Sequence, residues 1–170
     1  NLIGTAVGSD DTNLTITGLD STYDTYAISW ADIIPATDQQ NLSMRVGDAS
    51  GLDSGASDYA WHRMALSEAS SSYSAGNSTG DIDAQISNAV GNDTGEGCGG
   101  MLFLTRPADG TMWPTWAGSI TSMHGTGTVL RGGTTFGVRQ AVITLDRIAI
   151  MFGSGNISSG RLTVWGIAHA

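Results

Sequence analysis

Apolar residues alternate with polar or small ones along most of this chain, and a period of two residues is that of a β-strand. The alternation is clearest over residues 26–30 and 42–46. Glycine occurs 24 times among the 170 residues and separates such segments, whereas proline occurs only three times. The sequence therefore predicts an all-β fold of short strands joined by tight turns.

The segments are spaced as the strands of a sandwich or jelly roll are. We predict a jelly-roll-like antiparallel β-sandwich of about 8–10 strands. Residues 1–170 contain no linker or internal repeat, so they are expected to form a single domain. The chain does not begin with Met, which leaves open that it is the C-terminal part of a longer protein.

Four segments need a specific prediction. Residues 59–66 are predicted to form a strand, and a helix over residues 59–69 is the alternative, because helix formers follow the aromatic residues that begin the segment. Residues 70–80 are polar and are predicted to form a loop. Residues 82–90 fit a strand or a short helix, and this choice stays open. Residues 101–105 are apolar at successive positions, so a centrally buried strand is expected there.

The final stretch, from Asp146 onward, reads as two strands joined by a glycine-rich turn, and we predict a closing hairpin. Both faces of each strand are apolar, whereas a half-solvated hairpin would have one polar face. The hairpin is therefore expected to be covered on both sides, by a second sheet and by a neighbouring subunit. The candidate interface residues are Met151, Trp165 and Ile167.

Residues 154–167, Ser-Gly-Asn-Ile-Ser-Ser-Gly-Arg-Leu-Thr-Val-Trp-Gly-Ile, resemble the C-terminal signature of bacteriophage virion structural proteins. These proteins include tail fibres, head fibres and capsid-decorating proteins. Residues 19–26, followed by 34–38, and residues 53–59 are similar to further stretches of that family. The resemblance implies a jelly-roll-like sandwich that forms a homotrimer on a virion, with other virion proteins as partners. It implies no catalytic residues.

The formal charge is −9, and all seven positive charges are arginines. An acidic chain without a basic face is a poor ligand for duplex DNA or anionic lipid, so neither nucleic acid nor membrane is an expected partner. No apolar run approaches the roughly 18 residues of a membrane span. The charge also fits any acidic soluble domain. The single cysteine, Cys98, excludes an internal disulfide framework.

Motifs that would indicate catalysis lack the context they need. Residues 76–80 match Gly-x-Ser-x-Gly and residues 95–100 match a dinucleotide fingerprint, but neither is followed by a predicted helix. His62, His124 and His169 have no metal-ligand spacing. We therefore expect no catalytic residue, no metal and no cofactor.

Trp113 and Trp116 flank a proline, with His124 nearby, and form the candidate ligand-binding cluster. Exposed aromatic rings can stack on sugar rings. The alternative is that both tryptophans are core or subunit-contact residues.

We expect a non-enzymatic structural protein on the surface of a phage particle. As a fibre or spike it would attach to a host-surface glycan, and as a decoration protein it would reinforce the capsid. A different class stays open, namely a secreted carbohydrate-binding module or an ancillary domain of a glycan-active enzyme.

Overall fold

The computed structural model describes residues 1–127 and 129–168, with the backbone alone at residues 70–72. Within these residues the chain forms strands and no helix, so the predicted all-β class is confirmed. No helix there is long or apolar enough to cross a bilayer. The strands are β1 (Leu2–Gly8), β2 (Leu14–Thr17), β3 (Thr25–Pro35), β4 (Leu42–Asp48), β5 (Gly51–Leu52), β6 (Tyr59–Ser67), β7 (Ser70–Asp81), β8 (Ala84–Gln85), β9 (Gly97–Thr105), β10 (Thr115–His124), β11 (Val129–Arg139), β12 (Arg147–Phe152) and β13 (Ile157–Ile167).

These strands form two antiparallel sheets in a sandwich-like arrangement, as predicted. The larger sheet has eight strands in the order β1-β13-β3-β9-β10-β11-β6-β7. The smaller has the order β2-β12-β4-β5, with β8 pairing with β4. The described residues form 13 strands, more than the 8–10 expected, because β5 and β8 are only two residues long and β7 occupies a stretch that was predicted to be a loop.

The core lies between the sheets and follows the alternation seen in the sequence. In β3 the side chains of Tyr26, Ile28 and Trp30 are at most 2% exposed. Each inward residue removes apolar surface from water, at roughly 25 cal/mol per Å². Fully buried inward residues of the strands beside β3 and of the facing sheet extend this core: Leu42, Met44, Val46, Leu102, Leu104, Ile148, Ile150, Leu162 and Val164.

Large aromatic side chains in this core lie across glycines of adjacent strands. A Cβ at Gly137 would stand 2.3 Å from a ring carbon of Trp116, and one at Gly100 would stand 2.5 Å from the ring of Trp30. Such distances are far shorter than van der Waals contact. Glycine is therefore required at these positions for its lack of a side chain, and it lets an indole fill the space over the next strand.

The strand expected over residues 59–66 is confirmed as β6, but the loop expected over residues 70–80 is wrong. That stretch forms β7, which pairs with β6 at the edge of the eight-stranded sheet. The hydrophobic pattern did not reveal this strand, because an edge strand is held by backbone hydrogen bonds to a single neighbour. Polar residues such as serine can form these backbone bonds without being buried. Residues 82–90, for which a strand or a short helix was open, contain the short strand Ala84–Gln85.

The prediction that the last two strands pair with each other as a hairpin is also wrong. Strand β12 lies between β2 and β4 in the smaller sheet, whereas β13 lies between β1 and β3 in the larger one. The connection over residues 153–156 crosses from one sheet to the other. Period-two alternation cannot distinguish a hairpin from such a crossover, because it specifies which side chains point inward but not which strand is the neighbour.

Candidate functional surface

The side of the eight-stranded sheet that points away from the sandwich core is the candidate surface, and we call it the outer face. The strand register sets its composition, because side chains of paired residues point to the same side. One row of outward residues crosses the full width of the sheet, in the order Leu2, Trp165, Ala27, Phe103, Ala117, Phe136, His62 and Asn77.

Large apolar side chains on the outer face are exposed to solvent. The sequence predicted that residues 101–105 are covered on both sides, but Met101 and Phe103 are 40% and 45% exposed, so this prediction is wrong for the single chain. Contiguous exposed apolar surface of this kind is rare on soluble monomers and usually marks an interaction site. The side chains at least 40% exposed are Leu2, Val7, Met64, Leu66, Tyr73, Met101, Phe103, Leu130 and Phe136.

The outer face carries almost no charge. Among the described residues, no aspartate or glutamate occupies an outward position of the paired register. Within the described ranges, Arg161 has the one formal charge at these positions, and His62 and Tyr73 are the other ionisable side chains. The acidic residues that give the chain its net charge of −9 therefore lie in turns, in the smaller sheet and at the rim of the outer face. Asp32, in the bulge of β3, is one such rim residue.

Two grooves cross the outer face where β11, β6 and β7 meet. One, of about 460 Å³, is lined by residues that include Met64, Leu66 and Tyr73. The groove runs over Gly132, where there is open space above the backbone: the nearest atom to a Cβ added there would be 4.0 Å away. The other, of about 550 Å³, is lined by residues that include Trp61, His62, Asn77, Phe136 and Val138.

The His62 and Phe136 rings stack beside this second groove, with centroids 5.1 Å apart and planes inclined by 11°. Both are outward neighbours on β6 and β11, so the register itself brings them together. The stack forms an aromatic ridge on the outer face.

The predicted interface residues divide between the two sides of the sandwich. Trp165 and Ile167 lie on the outer face and are partly exposed. Met151 is also partly exposed, but it belongs to the smaller sheet, where it pairs with Ser43. The three residues therefore do not form one surface, because β12 and β13 belong to different sheets.

The predicted ligand-binding cluster is not assembled either. Trp116 is 3% exposed and belongs to the core, which agrees with the alternative that it is a core residue. His124 lies at the opposite end of β10, about 26 Å further along the strand. Burial and the nearby Arg131 guanidinium lower the pKa of His124. Trp113 remains as a surface residue, 46% exposed, in the loop between β9 and β10.

The loop that carries Trp113 is held by Asp109. One carboxylate oxygen of Asp109 accepts hydrogen bonds from the backbone N–H of Thr111 at 2.7 Å and of Met112 at 2.9 Å. The Thr111 hydroxyl donates a third, at 2.8 Å. These bonds hold the pKa of Asp109 below its ordinary value, because they stabilise the charged form.

The catalytic motifs have other structural roles. Residues 76–80 lie inside β7, and residues 97–100 begin β9, so each belongs to a strand. In the described part of the chain, no three His, Cys, Asp or Glu residues are grouped as metal ligands. His169 lies outside the described residues.

The outer face has a signature in the sequence, namely strands with apolar residues on both sides, and this pattern predicted that both sides are buried. Successive apolar residues in β9 and in β13 place large side chains on both sides of the sheet. Inside one subunit only one of those sides is covered.

Comparisons with protein families, with curated proteins and with solved structures gave no match.

Proposed function

We propose that this protein is a non-enzymatic structural protein of a bacteriophage particle surface that assembles as a homotrimer. It would act as a fibre or spike, or as a decoration domain, in host-surface attachment or capsid reinforcement. The outer face supports the proposal, since a large apolar surface without carboxylates suits permanent contact with other copies of the chain. The resemblance of residues 154–167 to virion proteins supports the particle location.

The size of the outer face limits the area that each contact between copies of the chain can bury. Eight strands about 4.8 Å apart give a width of about 34 Å, and seven residues along a strand span about 20 Å. The resulting area is about 700 Å², and a trimer divides it between two neighbours, so each contact uses about 350 Å², which is less than the roughly 800 Å² that each partner contributes to a standard interface. In a three-fold ring every subunit meets two neighbours through different patches. The β1 and β7 ends of the face supply two such patches.

Charge favours a second copy as the occupant. Two chains of net charge −9 repel each other wherever their acidic surfaces meet. The outer face is where two copies can approach without desolvating carboxylates. A partner with a strongly basic surface would instead be expected on the acidic sides of the molecule.

Mass measurement in solution tests the proposal. Light scattering coupled to size-exclusion chromatography should give three times the chain mass of 17.5 kDa. A monomer at concentrations up to about 0.1 mM, well above the roughly micromolar Kd at the weak end of standard interfaces, would overturn it.

A pair of matched variants connects the assembly to the outer face. Phe103→Asp adds a carboxylate at its centre, and Met112→Asp adds one in the loop between β9 and β10. Phe103 and Met112 are 45% and 43% exposed, so neither change disturbs the core. The trimer should dissociate in the Phe103→Asp variant alone. Equal trimer content in both folded variants would exclude the outer face.

A second candidate function, a carbohydrate-binding module, is favoured by Trp113. Its ring and the adjacent Met112 side chain are exposed at one end of the sandwich, on the loop held by Asp109. A rigid exposed indole suits stacking on a sugar ring. A monomeric chain that binds a glycan and loses binding in Trp113→Ala would support this function over the structural one.

A further inference from the structure

The larger of the two grooves on the outer face differs from the smaller in the chemistry of its walls. The smaller groove is lined mainly by apolar side chains, including those of Met64 and Leu66. The larger has aromatic rings on one wall and an amide and a hydroxyl group on another, and its volume of about 550 Å³ lies within the roughly 300–1,000 Å³ of small-molecule sites. We call it the mixed groove, and the residues lining it include Ala60, His62, Asn77, Thr79, Phe136 and Val138.

The strand register builds the aromatic wall of the mixed groove. His62 in β6 and Phe136 in β11 are paired, and their rings stack with centroids 5.1 Å apart. Ala60 and Val138 form the next outward pair, two residues along the same strands. Because Ala60 contributes only a methyl group, the space beside the rings stays open. Phe136 is 45% exposed, so its ring is accessible to a molecule in the groove.

A bulge in β7 shapes the polar wall of the mixed groove. Between the residues paired with Tyr59 and Trp61 of β6, β7 has one residue more than β6. The Ser78 hydroxyl holds this bulge, since it accepts a hydrogen bond of 3.3 Å from the Gly80 N–H and donates one of 2.9 Å to the Gly80 carbonyl oxygen. Bulges often redirect side chains beside functional sites. Here the bulge contains Thr79, which is exposed and lines the groove.

Two side chains of the polar wall keep their hydrogen-bonding groups free. Asn77 and Thr79 are both exposed, and in the described part of the chain neither the Asn77 amide nor the Thr79 hydroxyl bonds to another residue. An amide and a hydroxyl can each donate and accept hydrogen bonds. They can therefore bind the hydroxyl groups of a ligand, which also donate and accept.

Charge narrows the class of ligand. Of the described residues that line the mixed groove, none is an aspartate, a glutamate or an arginine. An anionic ligand would meet no guanidinium there and would approach a chain of net charge −9. A wholly apolar ligand would cover Asn77 and Thr79 without replacing their hydrogen bonds to water. A neutral molecule with an apolar face and a rim of hydroxyl groups satisfies both walls.

We propose that the mixed groove binds a neutral saccharide, with the C–H face of a sugar ring on the Phe136 ring and hydroxyl groups bonded to Asn77 and Thr79. The inference rests on the proposed function for the source of the saccharide, which is a glycan of the host surface. The smaller groove, with Met64 and Leu66, is left for contact with a neighbouring copy. The two roles therefore use different parts of β6.

Saturation-transfer NMR tests the groove with a panel of neutral oligosaccharides made of glucose, galactose, mannose or N-acetylglucosamine. At about 10 mM of each, a site with a Kd of roughly 1 mM is almost fully occupied. We expect transfer from the protein to the C–H protons of at least one of these oligosaccharides. Transfer to none of them, or transfer only to anionic oligosaccharides of glucuronic acid, would overturn the proposal.

Two matched phenylalanine variants locate the bound sugar. Phe136→Ala removes the stacking ring, whereas Phe103→Ala removes a ring of the same 45% exposure from the centre of the outer face. The Kd of the bound oligosaccharide should rise about 3–10-fold in Phe136→Ala and stay unchanged in Phe103→Ala. Trp113→Ala should also leave it unchanged. Equal Kd values in the two phenylalanine variants, or a loss of binding in Trp113→Ala alone, would contradict binding in the mixed groove.

The mass of each sample, measured by light scattering, keeps this test separate from that of the assembly. All residues of the mixed groove belong to one chain, so a monomeric sample should also bind the saccharide. A monomer that binds it would contradict the trimer and support the groove. A trimer that binds none of the panel would support the assembly and overturn the groove.

Discussion

Tyr59 and Val46 join the two sheets of the sandwich through a pair of hydrogen bonds. The phenolic oxygen of Tyr59, in β6, accepts a bond of 3.0 Å from the Val46 N–H, in β4. The same hydroxyl has one proton to donate, and two carbonyl oxygens lie within hydrogen-bond distance of it, that of Val46 at 2.9 Å and that of Asp53 at 3.0 Å. Burial raises the pKa of Tyr59 well above its ordinary value, so the hydroxyl keeps its proton.

Tyr59→Phe should lower the free energy of unfolding by about 1–3 kcal/mol, because it leaves a buried N–H and two carbonyl groups without this partner. Urea denaturation followed by tryptophan fluorescence measures the change. Tyr73→Phe is the control, since Tyr73 is 67% exposed and its hydroxyl reaches water. Equal stability of the two variants would mean that the Tyr59 hydroxyl contributes nothing between the sheets.

Gly137→Ala should destabilise the protein by about 1–3 kcal/mol, whereas Gly132→Ala should be neutral or slightly stabilising. A Cβ at position 137 would stand 2.3 Å from the Trp116 ring and 2.6 Å from the Ala60 carbonyl oxygen. At position 132 the nearest atom would be 4.0 Å away. Both glycines lie in β11, so the comparison isolates the close packing from strand propensity. Thermal unfolding of the two variants should differ in Tm by several degrees, and a reversed order would contradict the packing of Trp116 over Gly137.

Cys98 should be inert towards thiol reagents in the native protein. Its side chain is 6% exposed, and burial raises the pKa of the thiol to about 12, so little reactive thiolate is present at pH 8. Reaction with a colorimetric disulfide reagent should release one equivalent per chain in 6 M guanidinium and almost none within minutes without it. Fast labelling of the native chain would show that the β9 region opens readily.

Asp109 should contribute stability at neutral pH that is lost in acid. Its pKa in the folded protein lies below the ordinary value of 3.8. The unfolded chain therefore binds more protons between those two pKa values, and stability falls as the pH falls through that window. Asp109→Ala should flatten the dependence of Tm on pH below pH 4.

Asp10→Ala is the control for this pH dependence, as it removes an exposed carboxylate in another turn. An unchanged slope in Asp109→Ala, relative to the wild type and to Asp10→Ala, would contradict the role assigned to the Asp109 hydrogen bonds.

The alternation of apolar residues was sufficient to predict the fold class and much of the core. It placed Tyr26, Ile28 and Trp30 on one side of a strand, and all three are buried together. This succeeds because the direction of a side chain in a strand is a local property that depends on position alone. The same reasoning could not find the edge strand β7, whose polar residues carry no burial signal.

Strand pairing was decided by the tertiary structure. The sequence of the last stretch is compatible with a hairpin, yet β12 and β13 joined different sheets, and this separated Met151 from Trp165 and Ile167. Likewise, Trp116 and His124 belong to one strand but lie at its opposite ends. The sequence alone determined that the chain would fold into strands with one buried side. Only the tertiary structure brought Met64, Phe103 and Phe136 onto one face, because that depends on contacts between residues far apart in the chain.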